Sequence, residues 1–247
     1  MNAAPADQNR LLDLQALDSR LDQLAHRRKS LPEHAEIEQR GSEVTQLRDL
    51  VVAARTQLTD TEREQTKAEQ DVEQVRNRAA RDQKRLDSGA VTSPKDLANL
   101  QSEIASLAKR QSDLEDVVLE VMERLESAQT RVTEMTARKE HAERSLAEAE
   151  ERRDAATAEI DAERGKVERE RETVAAVIPA DLMKLYQRLR EQQGGIGAAR
   201  LYQRRCEGCR VELSMADLNA VRAAAADEVL RCENCQRILV RTGESGL

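Results

Sequence analysis

A seven-residue repeat of apolar positions constrains this chain more than any other feature. From Glu33 to Asp87 one row reads Ile37, Val44, Val51, Leu58, Gln65, Val72, Ala79, Leu86. A companion row three residues on reads Arg40, Leu47, Ala54, Thr61, Ala68, Val75, Asp82. Two such rows bring a single stripe of a helix against a partner helix and form the seam of a left-handed coiled coil. After Lys95 the repeat restarts through Leu97, Ile104, Gln111, Val118, Leu125, Val132, Lys139 and Leu146 to Ile160 and Val174. Its companion row runs Leu100, Leu107, Leu114, Val121, Ala128, Met135, Ala142, Ala149 and Ala156. Neither stretch contains an internal proline, the residue that most surely breaks a helix.

Between the two stretches lies Ser88-Gly89-Ala90-Val91-Thr92-Ser93-Pro94. Gly89 suits the left-handed position past a helix end. Ser93 suits a cap, Pro94 the first helical position, and Asp96 the third residue of a capping box. So short a connection makes the two helices antiparallel neighbours. A register centred on that tip sets Leu86 opposite Leu97 and Ile37 opposite Leu146. The expected fold is therefore mainly α: a long antiparallel coiled-coil hairpin over residues 1–178, with its tip at 88–94 and a break near 32. At 1.5 Å per residue the second helix is roughly 125 Å long and the first about 84 Å. The amphipathic segment from Asp7 to Ser30, separated by Pro32, would make up the difference if laid end to end. The alternative folds it back as a third helix.

Composition agrees with an elongated helical protein and not with a large globular core. Charged residues make up 35% of the 247, aromatics 1%, and Trp and Phe are absent, so the bulky side chains that usually fill a core are missing. The net charge of -7 disfavours wholesale binding to an anionic polymer and leaves room only for a local basic patch. No apolar run approaches the 20 or so residues of a membrane span. Residues Met1 to Arg10 lack a signal peptide's apolar stretch, which predicts a cytoplasmic protein.

Pro179 ends the second long helix, and residues 179–247 are expected to form a short helix followed by a small β domain. Cys206-Glu207-Gly208-Cys209 and Cys232-Glu233-Asn234-Cys235 are two C-x-x-C turns. Each aims two thiolates at one point, and in a cytosolic chain such pairs are metal ligands before they are disulfides. Four thiolates make a closed tetrahedral site for one structural Zn²⁺. Gly208 and Asn234 are the expected positive-φ residues of the two turns. Short strands are expected over 199–205, 210–213, 229–231 and 237–241. Zinc catalysis needs an open coordination position, and a redox pair needs a βαβ setting. Neither is visible, nor is a phosphate-binding glycine loop, so the expectation is a non-enzymatic protein with no small-molecule substrate.

Two surfaces stand out as candidate binding sites. Arg200, Tyr202, Arg204, Arg205 and Arg210 crowd the first cysteine pair; arginine suits phosphate and tyrosine can stack on a base, which points to RNA or DNA. Against this, eleven basic and eight acidic residues lie between Leu182 and Leu247, and four thiolates around one Zn²⁺ subtract further positive charge. Lys84, Arg85 and Lys95 flank the tip and could dock an acidic partner.

The cysteine region from Cys206 to Leu239 resembles the C4-type zinc-ribbon family, once a domain of unknown function. The tip from Arg85 to Leu97 is similar to that family as well, as is Leu114-Glu115-Asp116 leading to Met122-Glu123. The resemblance implies a coiled-coil hairpin with a zinc ribbon at its open end. It also implies an adaptor or chaperone-like role, since some relatives are reported to bind an alternative sigma factor, flagellar export components or messenger RNA. The expected function is a zinc-binding adaptor or scaffold in transcription or translation regulation, working through protein partners, with nucleic-acid binding as the alternative.

Overall fold

The computed structural model describes all residues from Met1 to Leu247. Five helices and four short strands follow in the order α1 (Pro5–Lys29), α2 (Pro32–Asp87), α3 (Pro94–Ala176), α4 (Ala180–Gln192), β1 (Ala198–Tyr202), β2 (Arg205–Cys206), α5 (Met215–Ala223), β3 (Leu230–Arg231) and β4 (Ile238–Val240). The chain forms two compact units, one of Ala35–Glu150 and one of Met1–His34 with Glu151–Leu247.

The Ala35–Glu150 unit is the coiled-coil hairpin. The rows read from the sequence are its seam. Val44, Leu47, Val51, Ala54, Ala68 and Val72 of α2 are buried, as are Leu100, Val121, Ala128, Met135 and Ala142 of α3. The seam mixes small alanines with larger Val and Leu, as where Ala142 packs with Val44 and Leu47, and burying each larger side chain contributes about 1.5–3 kcal/mol. Polar positions occur within the seam too: Thr61 is buried, and its hydroxyl donates to the Gln57 carbonyl at 2.8 Å. Cross-helix ion pairs such as Arg48–Glu143 and Arg124–Glu64 flank the seam on exposed side chains. Pairs of that kind favour a register more than they add stability.

That register differs from the tip-centred expectation. Leu146 packs with Val44, Leu47 and Ala142, one heptad away from Ile37. Gly89 does take the left-handed conformation, at φ 68°. The turn only has to close the chain, however, while the fit of Leu, Val and Ala along the seam decides which heptads meet.

In the second unit, α1 lies along the last turns of α3. Leu24 and Leu31 pack with Ile160 and Val167, and Arg20 pairs with Glu163. The break between α1 and α2 falls at Ser30-Leu31, with Pro32 as the first residue of α2. The same helix also supports the β domain. Leu11 and Leu14 join Ile178, Leu182, Tyr186, Leu189, Ala198, Ile238 and Val240 in one core. The strands form one sheet in the order β2-β1-β4-β3, parallel between β1 and β4 and antiparallel elsewhere.

The strand expected over 210–213 is absent as a strand; only an isolated bridge joins Glu212 to Arg205. In its place comes α5, opened by Ser214. The Ser214 hydroxyl accepts from the Asp217 N–H at 3.1 Å, and the Asp217 carboxylate accepts from the Ser214 N–H at 3.2 Å. This reciprocal cap fixes a helix start. No helix is long and apolar enough to cross a membrane.

Candidate metal centre

The four cysteine sulfurs converge from two turns. The first turn follows β2 and the second follows β3; β2 and β3 are antiparallel to β1 and β4, which are parallel to each other, so both turns lie at the same end of the sheet. All four Sγ atoms lie within 4.8 Å of one another. Cys206–Cys235 and Cys209–Cys232 are each 3.9 Å apart. A tetrahedron with zinc–sulfur bonds of about 2.3 Å has edges of about 3.8 Å, so the donor set fits Zn²⁺. Cys206 and Cys232 are buried, whereas Cys209 and Cys235 are half-exposed. Four ligands leave no open position, which marks the ion as structural.

The backbone of each turn is folded around the sulfurs. The N–H groups of Gly208 and Cys209 point at the Cys206 sulfur, and those of Asn234 and Cys235 at the Cys232 sulfur. Without the ion, burial pushes the Cys206 and Cys232 thiols up, and those N–H groups offset part of the rise. Burial also raises Cys235, but the backbone N–H and side chain of Arg237 outweigh it, helped by the neighbouring thiols, and bring it to about 7. A bound cation favours all four thiolates.

Gly208 and Asn234 are not the left-handed residues of these turns. Arg210 and Gln236, one residue beyond each second cysteine, take that conformation at φ 62°. Their N–H groups donate to the Cys206 and Cys232 carbonyls at 2.7 and 2.8 Å, closing each turn from its far side. Gly208 is small for another reason. A Cβ there would meet the Arg237 Cδ at 2.8 Å and the Ala199 Cβ at 2.9 Å.

Several arginines near the site are occupied by the fold. Arg237 donates to the carbonyls of Ile196 at 3.0 Å, Gly208 at 3.3 Å and Gln193 at 2.8 Å. It thereby ties the end of α4 to the first turn. Arg241 spans the carbonyls from Val221 to Glu228 and holds the link between α5 and β3. Arg231 donates to the Gln236 carbonyl at 2.9 Å. Of the candidate nucleic-acid residues, Arg200 sits on β1 and pairs with Glu244 at 2.9 Å and Glu207 at 3.7 Å. Arg204 donates to the Gly246 carbonyl at 3.3 Å. Tyr202 and Arg205 face each other across β1 and β2, and both are exposed, as is Arg210. Lys84, Arg85 and Lys95 are exposed on the two sides of the tip.

A buried polar cluster fastens α1 beneath the sheet. The Asp18 carboxylate accepts from the Tyr186 hydroxyl at 2.7 Å and from Arg171 Nε at 2.5 Å, with Arg190 at 3.5 Å. Gln15 accepts from the Gly197 N–H at 2.7 Å and donates to the Gly195 carbonyl at 2.9 Å. These residues look like ordinary solvated helix positions in the sequence. The one mark in the sequence is Tyr186, one of only two tyrosines in a chain without Phe or Trp.

Residues 14–194 match the CT398-like coiled coil hairpin domain, and residues 205–239 match the C4-type zinc ribbon domain. The chain belongs to the CT398-like coiled-coil hairpin family. Mycobacterium tuberculosis Rv2229c is 39% identical to it over 98% of both chains. A solved structure from Mycobacterium smegmatis is 33% identical, covers 98% of this chain and all of its own, and superposes with a TM-score of 0.85. CT398 from Chlamydia trachomatis, at 19% identity over 96% of this chain and 98% of its own, shares the fold with a TM-score of 0.69. The hairpin seam lies within the first match and all four cysteines within the second.

Proposed function

We propose that this protein is a non-enzymatic, zinc-stabilised adaptor that works by binding other proteins, in the setting of transcription or translation. One observation carries the reading: the hairpin keeps large apolar side chains in solvent, while the ribbon's arginines are largely engaged within the fold. Leu119 is 59% exposed and Met122 47%. Arg200, Arg231, Arg237 and Arg241 meanwhile hold carbonyls or carboxylates of their own domain. The two matched domain families are typically non-enzymatic, and a closed four-thiolate site offers zinc no substrate position. The setting rests on family resemblance.

Cross-linking in cells followed by capture of the tagged full-length chain tests the proposal. The expected result is a defined protein partner that stays bound at about 0.5 M salt, where phosphate contacts have weakened steeply. Recovery of nucleic acid alone, released at that salt, would overturn it.

Nucleic-acid binding is the second reading, favoured by exposed Tyr202 opposite Arg205 with Arg204 and Arg210 nearby in the chain. Two or three phosphate contacts give a Kd of roughly 10⁻⁴ to 10⁻⁶ M. Replacing Arg204, Arg205 and Arg210 with Ala should abolish such binding in an anisotropy assay while leaving zinc content unchanged. Unchanged binding, with loss in a Lys84, Arg85 and Lys95 variant, would move the site to the tip.

A further inference from the structure

The Ala35–Glu150 unit carries two large apolar side chains that its own seam does not use, Leu119 and Met122, beside the seam residues Val72 and Val118. On α3, Glu115, Val118, Leu119 and Met122 follow the i, i+3, i+4, i+7 spacing that places residues on one flank of a helix. On α2, Glu69, Val72, Glu73 and Arg76 repeat that spacing. The two flanks meet in an open groove of about 460 Å³, with Val72, Val118 and Leu119 as its apolar floor. Met122 lies one turn further along α3, exposed.

The rim of this groove is acidic. Glu69, Glu73 and Glu115 border it with Arg76 as the single cation among the lining residues. That arginine is already held between Glu115 at 3.4 Å and Glu73 at 3.8 Å. Glu69 accepts from the Gln65 amide at 2.8 Å, a neutral donor. Glu123 and Glu126 continue the acidic surface along α3 past Met122.

We propose that this groove seats a basic amphipathic helix of a partner protein; the proposal rests on the adaptor reading above. A helix supplies apolar side chains at the spacing of the floor, in the manner of other helix-in-groove contacts. Lysine or arginine beside those anchors complements the rim, which steers the encounter and selects against other occupants. A second copy of this chain would bring the same acidic rim against itself. A nucleic acid would bring phosphate against carboxylate.

Full-length, zinc-loaded protein is titrated against a fluorescent synthetic helix of roughly 18 residues, about five turns. It has leucine at i, i+3, i+4 and i+7 positions and lysine on the remaining surface. Anisotropy is read at about 0.15 M salt, where only close charge pairs still count. The wild-type chain should bind, and the same peptide with glutamate in place of lysine should not. L119E/M122E should weaken binding at least about tenfold, since two apolar contacts are lost. This is diagnostic because the substitution adds negative charge, which by itself would strengthen attraction to the peptide. L50E/V52E adds the same charge at two other exposed apolar positions of the hairpin and should keep wild-type affinity. All four side chains are exposed, so helical circular dichroism should be unchanged, and L119S/M122S gives a second, uncharged disruption.

No binding to the wild-type chain, or equal binding to wild type and L119E/M122E, overturns the groove proposal. So does sedimentation showing a wild-type dimer that L119E/M122E dissolves, because the occupant is then a second copy. The adaptor reading is judged separately. A protein partner captured at high salt by both wild type and L119E/M122E would leave that reading intact and remove the groove from it.

Discussion

Asp18 shows how much a single residue can decide in a chain with little core. It is buried with only 4% of its side chain exposed, and it receives Tyr186, Arg171 and Arg190 from α4 and the end of α3. Removing the carboxylate leaves the buried Tyr186 hydroxyl without its acceptor and two partly buried arginines without their counter-charge. Asp18→Ala should therefore cost about 3–5 kcal/mol, read as a fall in the denaturant midpoint of the full chain; a loss below about 1 kcal/mol would mean the cluster is not coupled to folding. Tyr186 gives a separate, pH-dependent reading. Burial, then the hydrogen bond to Asp18 and the charge of that carboxylate, push its hydroxyl well above its ordinary range. An unfolded tyrosine ionises near pH 10, whereas the folded one keeps its proton. The unfolded state then holds fewer protons above that pH, so this contribution is full below pH 10 and declines as pH rises beyond it. Melting temperatures measured from about pH 8 to 11 should fall more steeply for wild type than for Tyr186→Phe; parallel curves would contradict this.

Among the elements, the seam was the most legible part of the sequence. Every heptad residue from Val44 to Val72 and from Leu97 to Ala149 is buried or half-buried, because a 3.5-residue repeat leaves a helix only one face to bury. Register was less legible. Repeats seven residues apart are nearly equivalent, so Leu146 could meet either Ile37 or Val44 without breaking the pattern. Leu47 and Ala142 share a cluster, which predicts that cysteines at those positions join through a short bis-maleimide in zinc-loaded protein. Cysteines at Gly41 and Ala142, nearer the tip-centred register, should join poorly; the reverse preference would restore that register. Helix α5 was missed although Ser214 and Asp217 announce its cap. The segment lies between the strands expected over 210–213 and 229–231, and a nine-residue helix is too short for periodicity to speak. The spacing of the cysteines, by contrast, revealed the metal site because four thiolates admit few other arrangements. The roles of Gln15, Arg237 and Arg241 lie in long-range contacts to backbone carbonyls, which leave no local mark.

The whole molecule is held by two different devices. A seam of apolar and small residues joins α2 to α3 and needs no ion. The ribbon has a small core of Ala199, Leu201, Leu213, Leu218, Val221 and Leu239 around Cys206 and Cys232, and a domain of that size depends on its metal. Structural zinc contributes on the order of 10 kcal/mol to the folding of such a domain. The central claim is that zinc organises the ribbon alone while the hairpin stands on its seam. Helical circular dichroism during titration with a strong chelator, with zinc release followed in the same sample, tests this most directly. One zinc should leave per chain while most of the helical signal persists, with at most the fraying of α1 and α4, which pack on the sheet. Collapse of the helical signal in step with zinc release would contradict the account.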